Sequence, residues 1–406
     1  MLVSLRGWIP ELLELHLDNL ETLWHQRVAM AWSSVHHAWD LQRVDRRLLA
    51  HADALLLAGE AAFPVLGKGL TGETAGMVGG AAHVLLLGQT HARSVVGLLP
   101  TAEGAVAEGL LLALRTGPID AVREDLRAHA AGGDERVAAL AAQVLACHGE
   151  ADPAVRLATR RMASVTPTSA DAAGLCSLWS LAAGRAPASG ALATWLRGAT
   201  RAEHAAVRRE AWRAAAWTRQ SWLLGDLRDR AASDAEALLL LGILGEPQDL
   251  PRLLTASRQT QLGTTRWFAL GAFGHPGGVD ALAAAMAASD QRAAVAAGAA
   301  FQRLSGVSPW SPTRIELPAA DTDPGDSLAR EFAAGAHLPT AQIATDWRQG
   351  PGAGATTRLV GGRDLDARLR ARDHADLALG VAADLRLLSH FRSLAQELPG
   401  APPLSA

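Results

Sequence analysis

His36, His37 and Asp40 stand in the stretch SSVHHAWD as an HHxxD pattern. Imidazole nitrogen and carboxylate oxygen are both good zinc or iron ligands, so the three could share an ion. No further ligand follows at helical i,i+4 spacing. The stretch therefore reads as an interhelical loop with solvated histidines, in which Asp40 caps the next helix. Cys147-His148 offers one thiol and one imidazole, half a zinc site. A thiolate nucleophile at Cys147 or Cys176 needs a base and an orienting group beside it, and neither is evident. His51 lies three residues after Leu48, on or beside an apolar helix face. It is expected to pack there and hydrogen-bond locally, with Asp53 just beyond. No catalytic residue, metal ligand or cofactor is assigned from these groups.

The stretch ALGAFGHPGGVDAL, Ala269 to Leu282, could be a phosphate-cradling loop. As a GxGxxG-type loop it fails, because no strand precedes it and no Lys-Ser/Thr follows. It has a counterpart in LLLLGILGEPQDLPRLL. There Leu241-Gly242 matches Leu270-Gly271, Gly245 matches Gly274 and Pro247 matches Pro276, at an offset of 29 residues. Two copies of one punctuation point to a helix corner. Gly245 and Gly274 are expected to end a helix, with positive φ or within a residue of its end, and the prolines to open the next one. Gly242 and Gly271 are expected to let neighbouring helices approach closely.

AVRREAWRAAAWTRQSWLLGDLRDR, Ala206 to Arg230, interleaves Trp212, Trp217 and Trp222 with Arg208, Arg209, Arg213, Arg219 and Arg228. Two roles fit. The tryptophans fill a core while arginines lie outside, or Arg and Trp together anchor a partner. Arg208, Arg209, Trp212, Arg213, Trp217 and Trp222 form the candidate partner-binding set. Five-residue steps turn ~500° on a helix, about 140° beyond a full turn, so the rings cannot share one face. A break near Thr218 to Ser221 is expected, with one or two rings exposed. Glu203, Glu210, Asp226 and Asp229 offset the arginines, which argues against nucleic acid.

These residues must be held by helices. The chain has 406 residues, 49% of them hydrophobic, with 12 Trp, 6 Phe and no Tyr. Ala and Leu dominate and β-branched residues are sparse, which favours helix. The net charge of −3 leaves no global footprint for nucleic acid. Two cysteines make no disulfide framework, and no signal peptide or membrane-length apolar run is visible, so a cytoplasmic location is expected. Corner glycines recur at Gly88, Gly117, Gly149, Gly184, Gly245, Gly274 and Gly306. A period near thirty with helical content predicts a solenoid. Leu13, Leu17, Leu20, Trp24 and Val28 predict a first helix, and Leu41, Val44, Leu48, Ala52 and Leu55 a second ending at Gly59. Arg46 and Arg47 are expected to pair with Glu14, Asp18 or Glu21 across this hairpin. The predicted organisation is an N-terminal hairpin cap over 1–60, a repeat array over 61–306, a Pro/Asp-rich linker over 307–339, a helical C-terminal extension over 340–398 and a disordered tail over 399–406.

The central part resembles the short HEAT-like repeats of phycobilin lyases and their relatives. The whole chain resembles a family of bacterial HEAT-like proteins of unestablished activity. The resemblance lies in His16-Leu17, Asn19-Leu20, Leu23-Trp24 and Arg27. It continues in Leu41, Asp45, Arg47, His51, Asp53, Leu55 and Ala58-Gly59, then in Leu338-Pro339, Trp347 and Arg358-Leu359. The family's second Trp is Asp346 here, and its Tyr after the C-terminal Arg is Leu359. Members are often encoded near type VI secretion spike genes, which implies an accessory role. HEAT-repeat hydroxylases resembling deoxyhypusine hydroxylase bind iron through His-Glu dipeptides, and none occurs here. The expected fold is an all-α, HEAT-like α/α superhelix. The expected function is a non-catalytic protein-interaction scaffold or adaptor, with a secretion-system component or effector as partner. The alternative is a HEAT-repeat enzyme, lyase-like or nucleic-acid-processing.

Overall fold

The computed structural model describes residues 5–31, 33, 36–182, 190–317, 332, 335–350, 354–372, 374 and 376–392. The repeat glycine Gly184, the tail 399–406 and parts of the expected linker, of the GPGAGA stretch and of the C-terminal extension lie outside them. The fold is all-α, with helices packed in neighbouring pairs and little sheet. It divides into two compact units. Among the described residues, one holds those within 5–31 and 39–214, the other those within 33–38 and 215–392. The cut falls inside the span expected as one array.

The first unit opens with α1 (Leu5–Ala31) and α2 (Ala38–Leu57). Helix α2 starts before Asp40, so Asp40 sits in its first turn and is not the cap. Leu13, Leu17, Leu20 and Trp24 of α1 join Val44, Leu48, Ala52 and Leu55 of α2 in one buried cluster. That cluster runs on into α4 (Ala75–Leu87), α6 (Gly104–Thr116) and α8 (Glu135–Cys147), which pack in series. Helix α4 is apolar nearly all round, as a helix enclosed by others must be. Shorter helices α7 (Arg123–Ala131) and α9 (Asp152–Arg161) flank α8 on the outside.

The expected ion pairs of Arg46 and Arg47 with α1 are not the ones formed. Glu14 faces Lys68 at 3.3 Å, and Glu21 accepts from Thr74 at 2.5 Å. The hairpin is tied instead by Arg27 to Asp45 at 2.7 Å and by His16 to His51, Nδ1 to Nδ1, at 2.8 Å.

In the second unit α14 (Ala235–Leu244), α16 (Thr265–Phe273) and α18 (Gln291–Ser305) pack in series. A Cβ on Gly242 would strike the Ala269 backbone, and one on Gly271 the Ala300 backbone, so both glycines set the helix spacing as expected. Gly245 and Gly274 both cap helices. Gly274 is left-handed at φ 71°; Gly245 sits at φ −59°, ψ 166°, at the helix end as expected but without positive φ. Its chain leaves α14 extended, into the turn opened by Pro247. Asp134, Asp234 and Asp290 cap α8, α14 and α18 by accepting from two backbone N–H groups each.

The expected linker contains β1 (Trp310–Ile315) and β2 (Ala336–Pro339), paired antiparallel. Beyond them lie α19 (Ala341–Gln349), a two-residue hairpin β3 (Leu359–Val360) and β4 (Arg363–Asp364), α20 (Leu365–Ala371) and α21 (Leu379–Phe391). The last carbonyls of a helix have no partner within it. Here the segment 358–362 supplies them. Leu359 N donates to Gly274 O, Gly361 N to Arg303 O and Gly362 N to Leu304 O. Arg358 is 6% exposed and donates to the carbonyls of Gly242, Ile243, Gly245, Ala272 and Phe273. Its guanidinium carbon lies 4.6 Å from the Phe273 ring centre. Burial lowers its pKa to about 9, still above neutrality, so it keeps its charge. The stretch from Ala269 to Leu282 is thus a corner held under the C-terminal segment.

Among the described residues no single helix is long and apolar enough to cross a membrane. The run from Ala38 to Leu70 is long and apolar enough only as a pair, and it bends by 113° at its break.

Candidate functional site

The candidate Arg/Trp set does not converge. Helix α12 (Ala205–Trp217) ends where a break was expected, with Arg219 at φ 55°, and α13 (Leu223–Arg230) follows. Trp212 is 0% exposed, which removes it from any partner-binding surface. Its place on the enclosed side of α12, beside Ala211, Ala214 and Ala215, is a core position. Trp217 and Trp222 are half-buried, so no ring of the three is fully exposed. Trp217 belongs to the second unit, where its ring packs 5.0 Å from His390 and its carbonyl accepts from His390 Nε2. Arg208 donates to the carbonyls of Ala202 and Glu203, and Arg209 pairs with Glu210 at 3.1 Å. Arg213 is half-buried. Arg228 forks onto Asp249 and Glu246, fixing the α14 corner.

The groups weighed for chemistry also fall into structural places. His37 bridges the backbone of Ala378, and His36 O accepts from Leu379 N. Both cysteines are buried thiols. Burial pushes the Cys176 thiol up, with Glu210 adding to the effect, so it stays protonated. His148 Nε2 bonds Leu114 O at 2.8 Å. Burial lowers the His51 pKa, with His16 and Arg47 acting in the same direction. Among the described residues no group of three or more His, Cys, Asp or Glu is placed to hold a metal ion.

What the sequence reading missed lies on the hairpin. Among the described residues the exposed large apolar side chains are Leu12, Leu15, Trp39, Leu49, Leu57 and Val307, and all but Val307 are on α1 and α2. Leu12 and Leu15 are 52% and 56% exposed, one turn apart and turned from the buried Leu13, Leu17 and Leu20. Leu57 is 89% exposed. Trp39 and Leu57 lie five turns apart on one line of α2. The charges around them differ by helix. Glu11, Glu14 and Asp18 are exposed on α1, and Arg43, Arg46 and Arg47 on α2. Exposed apolar side chains among charged ones are what association surfaces present. The signal in the sequence was an apolar residue off the core stripe at Leu12, Leu15, Leu49 and Leu57.

No family model, curated protein or solved structure matches the chain.

Proposed function

We propose that the chain is a protein-interaction scaffold or adaptor that docks its partner on the outer face of the N-terminal hairpin. The observation that carries this reading is that Leu12, Leu15, Trp39, Leu49 and Leu57 are exposed on two helices that already have a filled core side. Burying an exposed leucine contributes ~1.5–3 kcal/mol, so a few such contacts suffice for a specific complex. Repeat stacks support the reading because they present rigid surface without reactive groups. By the family resemblance, the proposed partner is a type VI secretion component or effector, met in the cytoplasm.

The test is capture from cells that express the protein. Wild type and a Leu12→Glu/Leu15→Glu/Leu57→Glu variant are used as baits, and bound proteins are identified by mass spectrometry. The variant is expected to keep its melting temperature, since all three side chains face water, and to lose the specific partner. Capture of the same partner by both baits would place the docking surface elsewhere.

A further inference from the structure

We propose that the groove between α7 and α9 binds a small phosphomonoester. The cavity there measures about 640 Å³ and lies wholly within the first unit. That is within the ~300–1,000 Å³ of small-molecule sites. Its charged lining is Arg127, Arg156, Arg160, Glu150 and Asp152.

These charges differ in what they already hold. Glu150 is saturated. Its Oε1 accepts from Arg123 at 2.7 Å and its Oε2 from Arg127 at 2.8 Å. Those bonds hold its carboxyl below the usual range, so it is a fixed and neutralised anion. Asp152, at the rim, is also engaged. Arg161, next to Arg160, is taken by Glu135 at 3.2 Å. Arg156 and Arg160 are exposed and have no acceptor among the described residues. They sit one turn apart on α9, with Cβ atoms ~5–6 Å from each other.

Two guanidiniums at that spacing match one oxyanion with several acceptor oxygens. A guanidinium binds phosphate as a fork, with charge and geometry both used. Two uncommitted positive charges complement the dianion of a phosphomonoester. Arg127, already pinned by Glu150, is a third guanidinium lining the cavity. Beyond the charged rim the cavity is lined by Ala130, Ala131, Pro153 and Leu157, which suit a compact organic body. The inference is of binding, not turnover. It is independent of the hairpin surface.

Isothermal titration of the full chain at fixed ionic strength tests it, with ribose 5-phosphate, inorganic phosphate and ribose as probes. Ribose 5-phosphate is expected to bind saturably, at least about fivefold tighter than inorganic phosphate because of the apolar walls, and ribose not at all. Arg156→Ala/Arg160→Ala is expected to weaken the ester by about tenfold or more with an unchanged melting temperature, since neither side chain has an internal partner. Arg43→Ala/Arg46→Ala removes the same charge from α2 and is expected to bind like wild type. No saturable binding overturns the proposal. So does inorganic phosphate binding as tightly as the ester, an unaffected Arg156/Arg160 variant, or an equal loss in the Arg43/Arg46 control.

Discussion

The Arg358 guanidinium donates to the Gly245 carbonyl at 2.6 Å, across a sequence separation of 113 residues. The same side chain serves four more carbonyls at the ends of α14 and α16. Arg358→Met would leave these buried acceptors without donors. The expected loss is ~3–5 kcal/mol, the cost of a broken buried charged network. Arg358→Lys keeps the charge but not the fork, and is expected to fall between. Urea unfolding followed by circular dichroism measures both. A Met variant within ~1 kcal/mol of wild type would show that water replaces the guanidinium.

Gly274 combines two demands. Its φ of 71° is left-handed, and a Cβ there would strike the Leu359 carbonyl. Gly104, at φ 51°, has open space where its Cβ would go. Gly274→Ala is expected to cost ~2–4 kcal/mol, because strain adds to displacement of the C-terminal segment, and Gly104→Ala only ~1 kcal/mol. Equal costs, measured by thermal unfolding, would mean that the segment 358–362 yields freely.

Stability is expected to fall in mild acid. His83, in α4, packs edge-on to Trp24 at 5.3 Å. Burial, with Arg27 second, lowers its pKa from 6.5 to about 4. Above pH 6.5 both folded and unfolded states leave it neutral, and it contributes no slope. As pH drops from 6.5 to about 4, only the unfolded chain takes up the proton, so stability is lost through that window and levels off below it. The full loss is of the order of 3 kcal/mol. His51, His275 and His390 are lowered too and add to the slope. Urea titrations between pH 7 and 4 are expected to be clearly shallower in pH dependence for His83→Gln. An unchanged slope refutes the assignment.

The parts of this fold that were legible in the sequence are those set by local rules. The corners at Gly245 and Gly274, the close approach at Gly242 and Gly271 and the break after Trp217 all follow from glycine, proline and helical spacing. The hairpin strands β1 and β2 were not legible, because Pro and Asp mask a pairing whose partner lies over twenty residues away. The caps at Asp134, Asp234 and Asp290 lie in GDER, SDAE and SDQR, a recurring pattern that the sequence reading passed over. Arg358 stood out in the sequence only beside Leu359, since nothing local says which carbonyls it will find. For the candidate surface, spacing put the three tryptophans on different faces, but none of them is exposed where one or two were expected. It did not say that Trp212 would be the enclosed one, because that depends on which helix covers α12. Nor does periodicity alone show that Leu12 and Leu15 stay uncovered.

Trp212 gives the cleanest separation of core from surface. At 0% exposure its replacement by Ala is expected to cost ~3–5 kcal/mol. Arg209→Glu, which loses only a partly exposed pair with Glu210, is expected to cost ~1 kcal/mol or less. Differential scanning calorimetry of the two variants decides it. A Trp212→Ala variant with wild-type stability would return that ring to the surface.

Arg386 sits half-buried on α21, which packs on α14. Burial alone lowers its pKa, and no acceptor among the described residues meets its guanidinium. An ion taken part-way out of water gains only if a partner repays the lost hydration. Here the methylene stem gains from packing while the head does not, so an apolar side chain of similar length keeps the first and removes the cost of the second. Arg386→Met is therefore expected to stabilise by ~0.5–1 kcal/mol, a rise in melting temperature of ~1–3 °C. The gain is expected to persist at high salt, because it comes from removed desolvation and not from long-range repulsion, which salt would screen. A drop in melting temperature of similar size would mean that the guanidinium has found an acceptor that repays its burial, and the argument from its isolation fails.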